Sequence, residues 1–536
     1  MKEFGKLDLA KGGKVSSATD LARQTIRKLI EFGVSDFVIS PGSRNAPLSI
    51  ALQEAKTRGI VELHIKLDER GAAFYALGIA KATNQHVVVI CTSGTAAANF
   101  HPAILEASHT NAPLLVLTAD RPAILRKTGA NQTTEQARIF GNAVRYFADI
   151  SGGVFPLELP LDSLHRGPVH LNLQFAEPLL PDDDGDWLSE IKVSPKAKPT
   201  GKSVGTLKVN TARGVLIIGH DRGGLSIAED YQIAADLHWP VIAEDPLSFP
   251  EAISHAALFL ASPTIRKNLA PESVVVIGRT TLSRSINALI ASAKSQIVID
   301  PRMATVDTYR VADQRFIASP KVVSPQSDPE WVERWEKFSQ RTSKLVSDIS
   351  DWSESALARE LAKQLAGAVF IASSRPIRDL ESFASARSGV ETFANRGLAG
   401  IDGNISTALG IATARQSATA IIGDLAFLHD LTGLVGNASA NLRIIAINND
   451  GGGIFSTLPQ AGVAGFETVF GTPHGLDLEK VASGLGISAK TISSFAELTS
   501  ELAKPISGIS VLVCQMPSRD ANAAKLKALV SNLESI

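Results

Sequence analysis

The chain has 536 residues, with 53 Lys and Arg against 54 Asp and Glu, and its net charge of −1 gives no electrostatic basis for binding nucleic acid or an acidic membrane surface. At roughly 100–200 residues per domain, that length predicts about three domains. No apolar run approaches the roughly 18 residues of a membrane span, and the opening MKEFGKLDLAKGGK lacks a signal-peptide core, so a soluble, cytoplasmic protein without membrane insertion is expected.

The first block alternates predicted strands at 37–40, 87–92, 114–118 and 169–173 with helical segments. After the first strand, ISPGSRNAPLSIAL turns at Pro and Gly and starts a helix with Ser43 and Arg44, where an arginine can grip a planar carboxylate. LDERGAAFYALGIAKAT then sets Glu69 just ahead of a small-residue helix over 71–81, a position the helix dipole favours for an acidic side chain. The next strand runs into VVVICTSGTAAAN, with Ser93 and Gly94 in its turn. TADRP followed by GANQTTEQARIFG collects Arg121, Asn131, Gln132 and Gln136 into one polar loop. Cys91 and Cys514 each end an apolar run and read as buried strand residues, not a disulfide. The histidines are scattered, with no zinc spacing.

Residues 178–200 break the pattern, acidic first and then rich in Pro and Lys, and read as a linker. The middle block has predicted strands at 215–218, 241–243, 274–277 and 297–299, a TTLSRSI segment carrying Arg284, and an amphipathic Trp-bearing helix over 329–345. The third block has predicted strands at 369–372, 391–393, 420–422, 443–447 and 510–514. Strands alternating with helices imply an α/β protein of three doubly wound domains with mainly parallel sheets, spanning 1–181, 201–350 and 351–536.

The third block is the one around which the chemistry gathers. One strand stops at Gly423-Asp424-Leu425, a helix is predicted over 425–435, and the next strand stops at Asn448-Asn449-Asp450 and three glycines. Strand ends of a parallel sheet are where such folds bind ligands. An acid, an amide oxygen and the Gly451 carbonyl make a hard oxygen set suited to Mg²⁺ and phosphate. Taken alone, these residues are equally a helix N-cap and a turn. FIASSRPIRDLESF and FANRGLAGIDG add Ser374, Arg378, Arg396 and Ile401 after two further strands, and GGGIFSTLP adds Ile454, Phe455 and Leu458.

The Gly-Asp and Asn-Asn pair resembles the diphosphate and metal signature of thiamine-diphosphate enzymes, with Leu425 where those enzymes usually have Gly. GDL with INNDGGGIFSTLP, SPGSR, and GANQ after TADRP together resemble the 2-succinyl-5-enolpyruvyl-6-hydroxy-3-cyclohexene-1-carboxylate synthase branch of menaquinone biosynthesis. The resemblance covers most of 30–180 and 365–465. It implies thiamine diphosphate with Mg²⁺ or Mn²⁺ on Asp424, Asn449 and Gly451. Glu69 would be the catalytic carboxylate on the cofactor's aminopyrimidine. Ser93, Gly94, Ile401, Gly423, Leu425, Ile454 and Phe455 would line the cofactor, Ile401 wedging it into a bent shape.

The same resemblance assigns Ser43, Arg44, Arg121, Asn131, Gln132 and Gln136 to isochorismate. It assigns Arg378 and Arg396, with Ser374 nearby, to 2-oxoglutarate, Arg284 as a further substrate arginine, and Phe455 and Leu458 to the apolar wall. The implied reaction is decarboxylation of 2-oxoglutarate and 1,4-addition of the succinyl carbanion to isochorismate. Active sites would lie between subunits of a homodimer or homotetramer. Two alternatives stay open: a thiamine-diphosphate lyase of the acetolactate-synthase type, and a non-catalytic relative that keeps the fold.

Overall fold

A computed structural model of the chain describes residues 17–152, 167–181, 183, 185–193, 205–302, 306–308, 310–436 and 440–533. Its first sheet is built from β1 (Asp36–Ile39), β2 (Glu62–Ile65), β3 (Val87–Cys91), β4 (Leu114–Asp120), β5 (Tyr146–Ser151) and β6 (Val169–Gln174). These pair in parallel in the order β2-β1-β3-β4-β6-β5. The central strands β3 and β4 are buried along their whole length, because helices cover both faces.

β7 (Thr206–Lys208) pairs with β13 (Lys321–Val323) at one margin of the middle region. Between them, β8 (Gly214–Ile218), β9 (Val241–Ala243), β10 (Ser273–Ile277), β11 (Ser295–Ile299) and β12 (Gln314–Phe316) form a parallel sheet in the order β12-β11-β10-β8-β9. The predicted Trp-bearing helix is Pro329–Ser347, and it buries Trp331 and Trp335 against this sheet's core.

The third sheet comprises β14 (Gly367–Ile371), β15 (Val390–Phe393), β16 (Ala418–Gly423), β17 (Leu442–Asn448), β18 (Ser488–Ile492) and β19 (Ile509–Gln515). Its parallel order, β15-β14-β16-β17-β19-β18, repeats the wiring of the first sheet strand for strand. The two sheets share one apolar core through the helices Glu69–Thr83 and Asn404–Arg415. These helices cross with almost no room for side chains. A Cβ on Gly78 would stand 2.1 Å from the Thr407 carbonyl oxygen, and one on Gly410 would stand 2.1 Å from that of Tyr75. Lys81 adds a polar tie, donating to Glu106 (3.1 Å), the Ala394 carbonyl (2.8 Å) and Asn395 (3.0 Å).

Three expectations change. The helix predicted over 425–435 is a short helix, Asp424–His429, followed by a 3-10 turn, Leu431–Leu434. They divide at Asp430, whose buried carboxylate accepts the Ser406 N–H (2.7 Å) from another helix, a long-range contact that periodicity cannot register. The segment read as a linker folds back on the first domain where it is described. Leu179 and Leu188 are buried there, and Asp183 and Asp186 pair with Arg23 and Arg58. Residues 182, 184 and 194–200 of that segment, and the opening stretch 1–16, lie outside the described residues. Finally, the structure adds strands β2, β5, β12 and β18, all four at sheet margins, and the two-stranded pair β7 and β13, which no apolar run announced. No helix among the described residues is long and apolar enough to cross a membrane.

Candidate active site

β16 delivers Gly423 to the sheet edge and Asp424 to the start of the following helix. The Asp424 side chain is buried, and all its backbone partners are at strand ends or turns. Its Oδ1 accepts the Leu425 N–H (2.7 Å), and its Oδ2 accepts those of Asn449 (3.1 Å) and Gly451 (2.9 Å). Burial pushes this carboxyl's pKa up, while those N–H donors pull it back. The Asn449 amide is oriented from behind, because its Nδ2 donates to Glu354 (2.6 Å). Its Oδ1 is thereby turned the other way, buried and without a donor. Gly451 has φ 130°, a backbone setting that favours glycine, and a Cβ there would meet the Gly471 carbonyl oxygen at 2.1 Å. The structure thus brings Asp424, Asn449 and Gly451 together. Among the described residues no three His, Cys, Asp or Glu side chains gather as a metal cluster, so a cation here must draw on amide and carbonyl oxygens as well.

Around this turn, Leu425, Ile454, Phe455 and Leu458 are half-buried, and the Phe455 ring lies 5.4 Å from that of Phe470. Ile401 is 45 % exposed in the turn after β15, and its carbonyl accepts from Asn404 (2.8 Å). Ser374 holds φ 73° at the start of the helix Arg375–Phe383, a strained setting for a non-glycine residue. Its carbonyl accepts from Arg378 (2.7 Å), which has no carboxylate partner among the described residues. Burial, with Arg375 and Arg396 nearby, lowers the Arg378 guanidinium's hold on its proton. Arg396 lies close to it but differs in state. It is 2 % exposed and donates to Glu244 of the middle domain at 2.8 and 3.1 Å. Its charge is already compensated. Arg284 is exposed at the start of the helix Arg284–Ser292 and joins none of these groups.

The first sheet builds a second polar cluster at the ends of β1, β3 and β4. Arg121 donates to Ser93 Oγ (2.8 Å) and the Gln132 carbonyl (2.7 Å), and Gln132 returns a bond to the Ser93 carbonyl (3.0 Å). Gly94 N–H donates to Gln136 (2.8 Å), which also reaches Asn172 (3.1 Å). Arg44 donates to the Phe175 carbonyl (3.0 Å), pairs with Glu177 (3.1 Å), and keeps a buried Nε without an acceptor. Burial, and then the positive charge of Arg44, lower the Arg121 pKa. Ser43 and Asn131 are exposed at the margin of this cluster. Glu69 opens the helix Glu69–Thr83, half-exposed and without a hydrogen-bonding partner among the described residues. No hydrogen bond or ion pair joins it to Asp424 among the described residues. Its neighbours instead tie to the far end of the Asp424 helix, where Arg70 donates to the His429 carbonyl (2.8 Å).

Comparison with known proteins is decisive at this point. The thiamine pyrophosphate enzyme N-terminal binding domain matches residues 19–139, the middle domain 183–371, and the C-terminal binding domain 380–514. The chain is 38 % identical to the 2-succinyl-5-enolpyruvyl-6-hydroxy-3-cyclohexene-1-carboxylate synthase of Thermobifida fusca (strain YX), over 96 % of this chain and 98 % of that protein. The synthase of the same name from Saccharopolyspora erythraea is 36 % identical over 90 % and 93 %, and that from Nocardioides sp. is 37 % identical over 92 % and 94 %. The chain belongs to this synthase family. It is a thiamine-diphosphate-dependent enzyme.

Against that family background, the structure adds residues that the sequence did not single out. Glu354 orients Asn449 and is itself met by Arg375 at 3.4 Å. Glu244 neutralises Arg396 from another domain. His474 and Arg519 close the turn at Asp450 and Gly451 from outside. None stands in a motif with a spacing rule, so only the fold reveals them.

Proposed function

We propose that the chain decarboxylates 2-oxoglutarate and adds the resulting succinyl unit to C=C-conjugated isochorismate, giving 2-succinyl-5-enolpyruvyl-6-hydroxy-3-cyclohexene-1-carboxylate. The observation that carries this is that arginines stand at the strand ends of both the first and the third sheet: Arg44 and Arg121 on the first, Arg121 bonded to Ser93 and the Gln132 carbonyl, and Arg378 on the third, without a carboxylate partner among the described residues. Two acidic substrates need two cationic grips, whereas a pyruvate-using enzyme of the acetolactate type needs fewer. Ser43, Asn131, Gln132 and Gln136 would complete the isochorismate side, and Ser374 the 2-oxoglutarate side. Because Glu244 already occupies Arg396, Arg378 is the arginine with its head free for the distal carboxylate. Arg284 would act from the rim.

The residues at β16 and β17 fit Mg²⁺ or Mn²⁺ with a diphosphate. The buried Asn449 Oδ1 lacks a donor, the Asp424 carboxylate is adjacent, and the glycine turn exposes backbone at Gly451. Bound thiamine diphosphate supplies the electron sink that makes decarboxylation and carbon–carbon bond formation accessible. Glu69 holds or releases a proton at the aminopyrimidine ring nitrogen. Gly423, Leu425, Ile454 and Phe455 wall the diphosphate side, Ser93 and Gly94 the ring side, and Ile401 supports the bend. Phe455 and Leu458 keep water from the reacting carbon.

The Glu69 carboxylate, without a hydrogen-bonding partner among the described residues and on a different sheet's helix from Asp424, supports a homodimer or homotetramer in which each site uses Glu69 of one copy and Asp424 of another. Leu67, two residues before Glu69, is 71 % exposed, an apolar surface beside the helix start. The test is an assay with both substrates, thiamine diphosphate and Mg²⁺. Consumption of isochorismate matched to CO₂ release from 2-oxoglutarate is expected. Turnover of pyruvate with isochorismate untouched would replace this reading by the acetolactate type.

A further inference from the structure

We infer that His474 is a positioning residue for the cation site: its buried Nε2–H, 3.5 Å from Asp424 Oδ2, closes to a hydrogen bond on that oxygen and fixes the carboxylate's orientation when a cation is held. The inference rests on the assignment of Asp424 as a metal ligand. His474 follows the π-turn Glu467–Gly471 in a segment outside every site residue named from the sequence. Its side chain is only 9 % exposed, although the surrounding backbone is open.

The tautomer follows from the hydrogen bonds. Leu476 N–H donates to His474 Nδ1 at 3.0 Å, so Nδ1 is an acceptor and the proton of the neutral ring sits on Nε2. That Nε2 is buried, has no acceptor within bonding geometry, and lies 3.5 Å from Asp424 Oδ2. A nitrogen bearing a proton cannot ligate a metal, which separates this role from direct coordination. Oδ2 already takes two backbone N–H donors, at 3.1 and 2.9 Å, whereas Oδ1 takes one. A third donor on Oδ2 would fix the carboxylate's rotation against the backbone of Asn449 and Gly451. Ligating carboxylates depend on such outer hydrogen bonds for their orientation, and losing one typically weakens metal binding about 10- to 100-fold.

The segment is anchored by more than the imidazole, whose Nδ1 accepts the Leu476 N–H. Asp450 Oδ1 accepts the backbone N–H groups of His474 (3.0 Å) and Gly475 (2.8 Å). Arg519 donates to the Asp450 carbonyl (2.7 Å) and pairs with Glu467. Substitution of the side chain therefore removes one hydrogen bond of the turn, that from Leu476 N–H, and keeps these backbone anchors.

The experiment titrates Mg²⁺ by calorimetry into the full chain with saturating thiamine diphosphate, with bound Mn²⁺ followed by electron paramagnetic resonance as a second readout. His474→Ala should weaken cation binding by about 10- to 100-fold while the thermal midpoint of the cation-free protein stays put. His474→Gln, whose amide nitrogen reaches the place of Nε2, should recover most of that loss. Wild-type cation affinity in His474→Ala, or no recovery in His474→Gln, overturns the inference. Asp424→Ala run alongside should lose the cation altogether. If it binds normally, the metal assignment fails and this inference fails with it.

Discussion

The first and third sheets have the same six strands in the same order, yet their carboxyl ends are prepared for different work. At the end of its third strand, the first sheet places Ser93 and Gly94, already bonded to Gln132 and Gln136. The third sheet places Asp424 there, facing an Asn449 oxygen with no donor. After the second strand, one sheet leads to Glu69 without a partner, the other to Arg396 locked to Glu244. Topology therefore fixes where chemistry can sit, and the residue at each strand end decides what it is. One sheet offers preformed hydrogen bonds to a planar ligand. The other offers oxygens for a hard cation.

Two substitutions should separate the sheets most sharply. Asp424→Ala should abolish turnover even at saturating Mg²⁺ and thiamine diphosphate, because the proposed cation site loses its carboxylate. Cofactor binding at wild-type affinity in that variant would break the assignment. Glu69→Gln should leave cation and cofactor binding intact, since its carboxylate stands on the other sheet, while slowing deuterium exchange at the thiazolium carbon by orders of magnitude. NMR of acid-quenched enzyme in D₂O measures that rate. Unchanged exchange would return Glu69 to a plain helix-start charge.

The two arginines of the third sheet give smaller, opposite signatures. Arg396→Ala strands the buried Glu244 carboxylate and should cost roughly 3–5 kcal/mol of stability, visible as a lowered urea midpoint. Arg378→Ala removes a charge without a carboxylate partner in the protein. It should barely change stability but raise the KM for 2-oxoglutarate at least tenfold, about 1.5–3 kcal/mol, with little effect on that for isochorismate. If the two variants exchange behaviours, Arg396 rather than Arg378 carries the substrate.

How much of this was legible in the sequence follows from burial. β3, β4, β16 and β17 are covered on both faces, so their apolar runs announced them and their abrupt ends pointed to Asp424 and Asn449. The marginal strand β2 reads Glu-Leu-His-Ile and exposes both ends, so it carried no apolar signal. The parallel repeat of the first sheet in the third was equally silent, because pairing order leaves no trace in periodicity. Partners far apart in the chain were silent for the same reason. Nothing near Arg396 in sequence betrays Glu244, 152 residues earlier, and nothing in GTPHG marks His474 as facing Asp424. Motifs pointed to the groups proposed to meet ligands; the groups that hold those in place needed the fold.

The smallest expected effect concerns the cores of the two sheets, not their ends. His170 on β6 pairs in register with Val116 of β4, the third residue of that strand. The same register position in the third sheet is Val511, paired with Ile444. A titratable ring thus sits where the sister sheet has valine. Its Nε2–H donates to Thr118 Oγ1 (2.7 Å), whose own proton goes to Asn172 (2.7 Å), and its Nδ1 is buried without a partner. Burial lowers its pKa to about 3, below the ordinary 6.5. The sign follows: between those values the unfolded chain binds a proton that the folded chain refuses. The folded state is therefore favoured fully above about pH 6.5 and loses that advantage as pH falls toward 3. From pH 6.5 to 5.5 the loss is about 1 kcal/mol for this one group, approaching about 1.4 kcal/mol per further pH unit. Urea midpoints of the wild type and His170→Gln across that range isolate it, because other buried histidines such as His220 contribute equally to both proteins. The wild type should fall more steeply. Parallel lines would mean that His170 is protonated in the folded protein, and that the first sheet's core is as indifferent to acid as the third's.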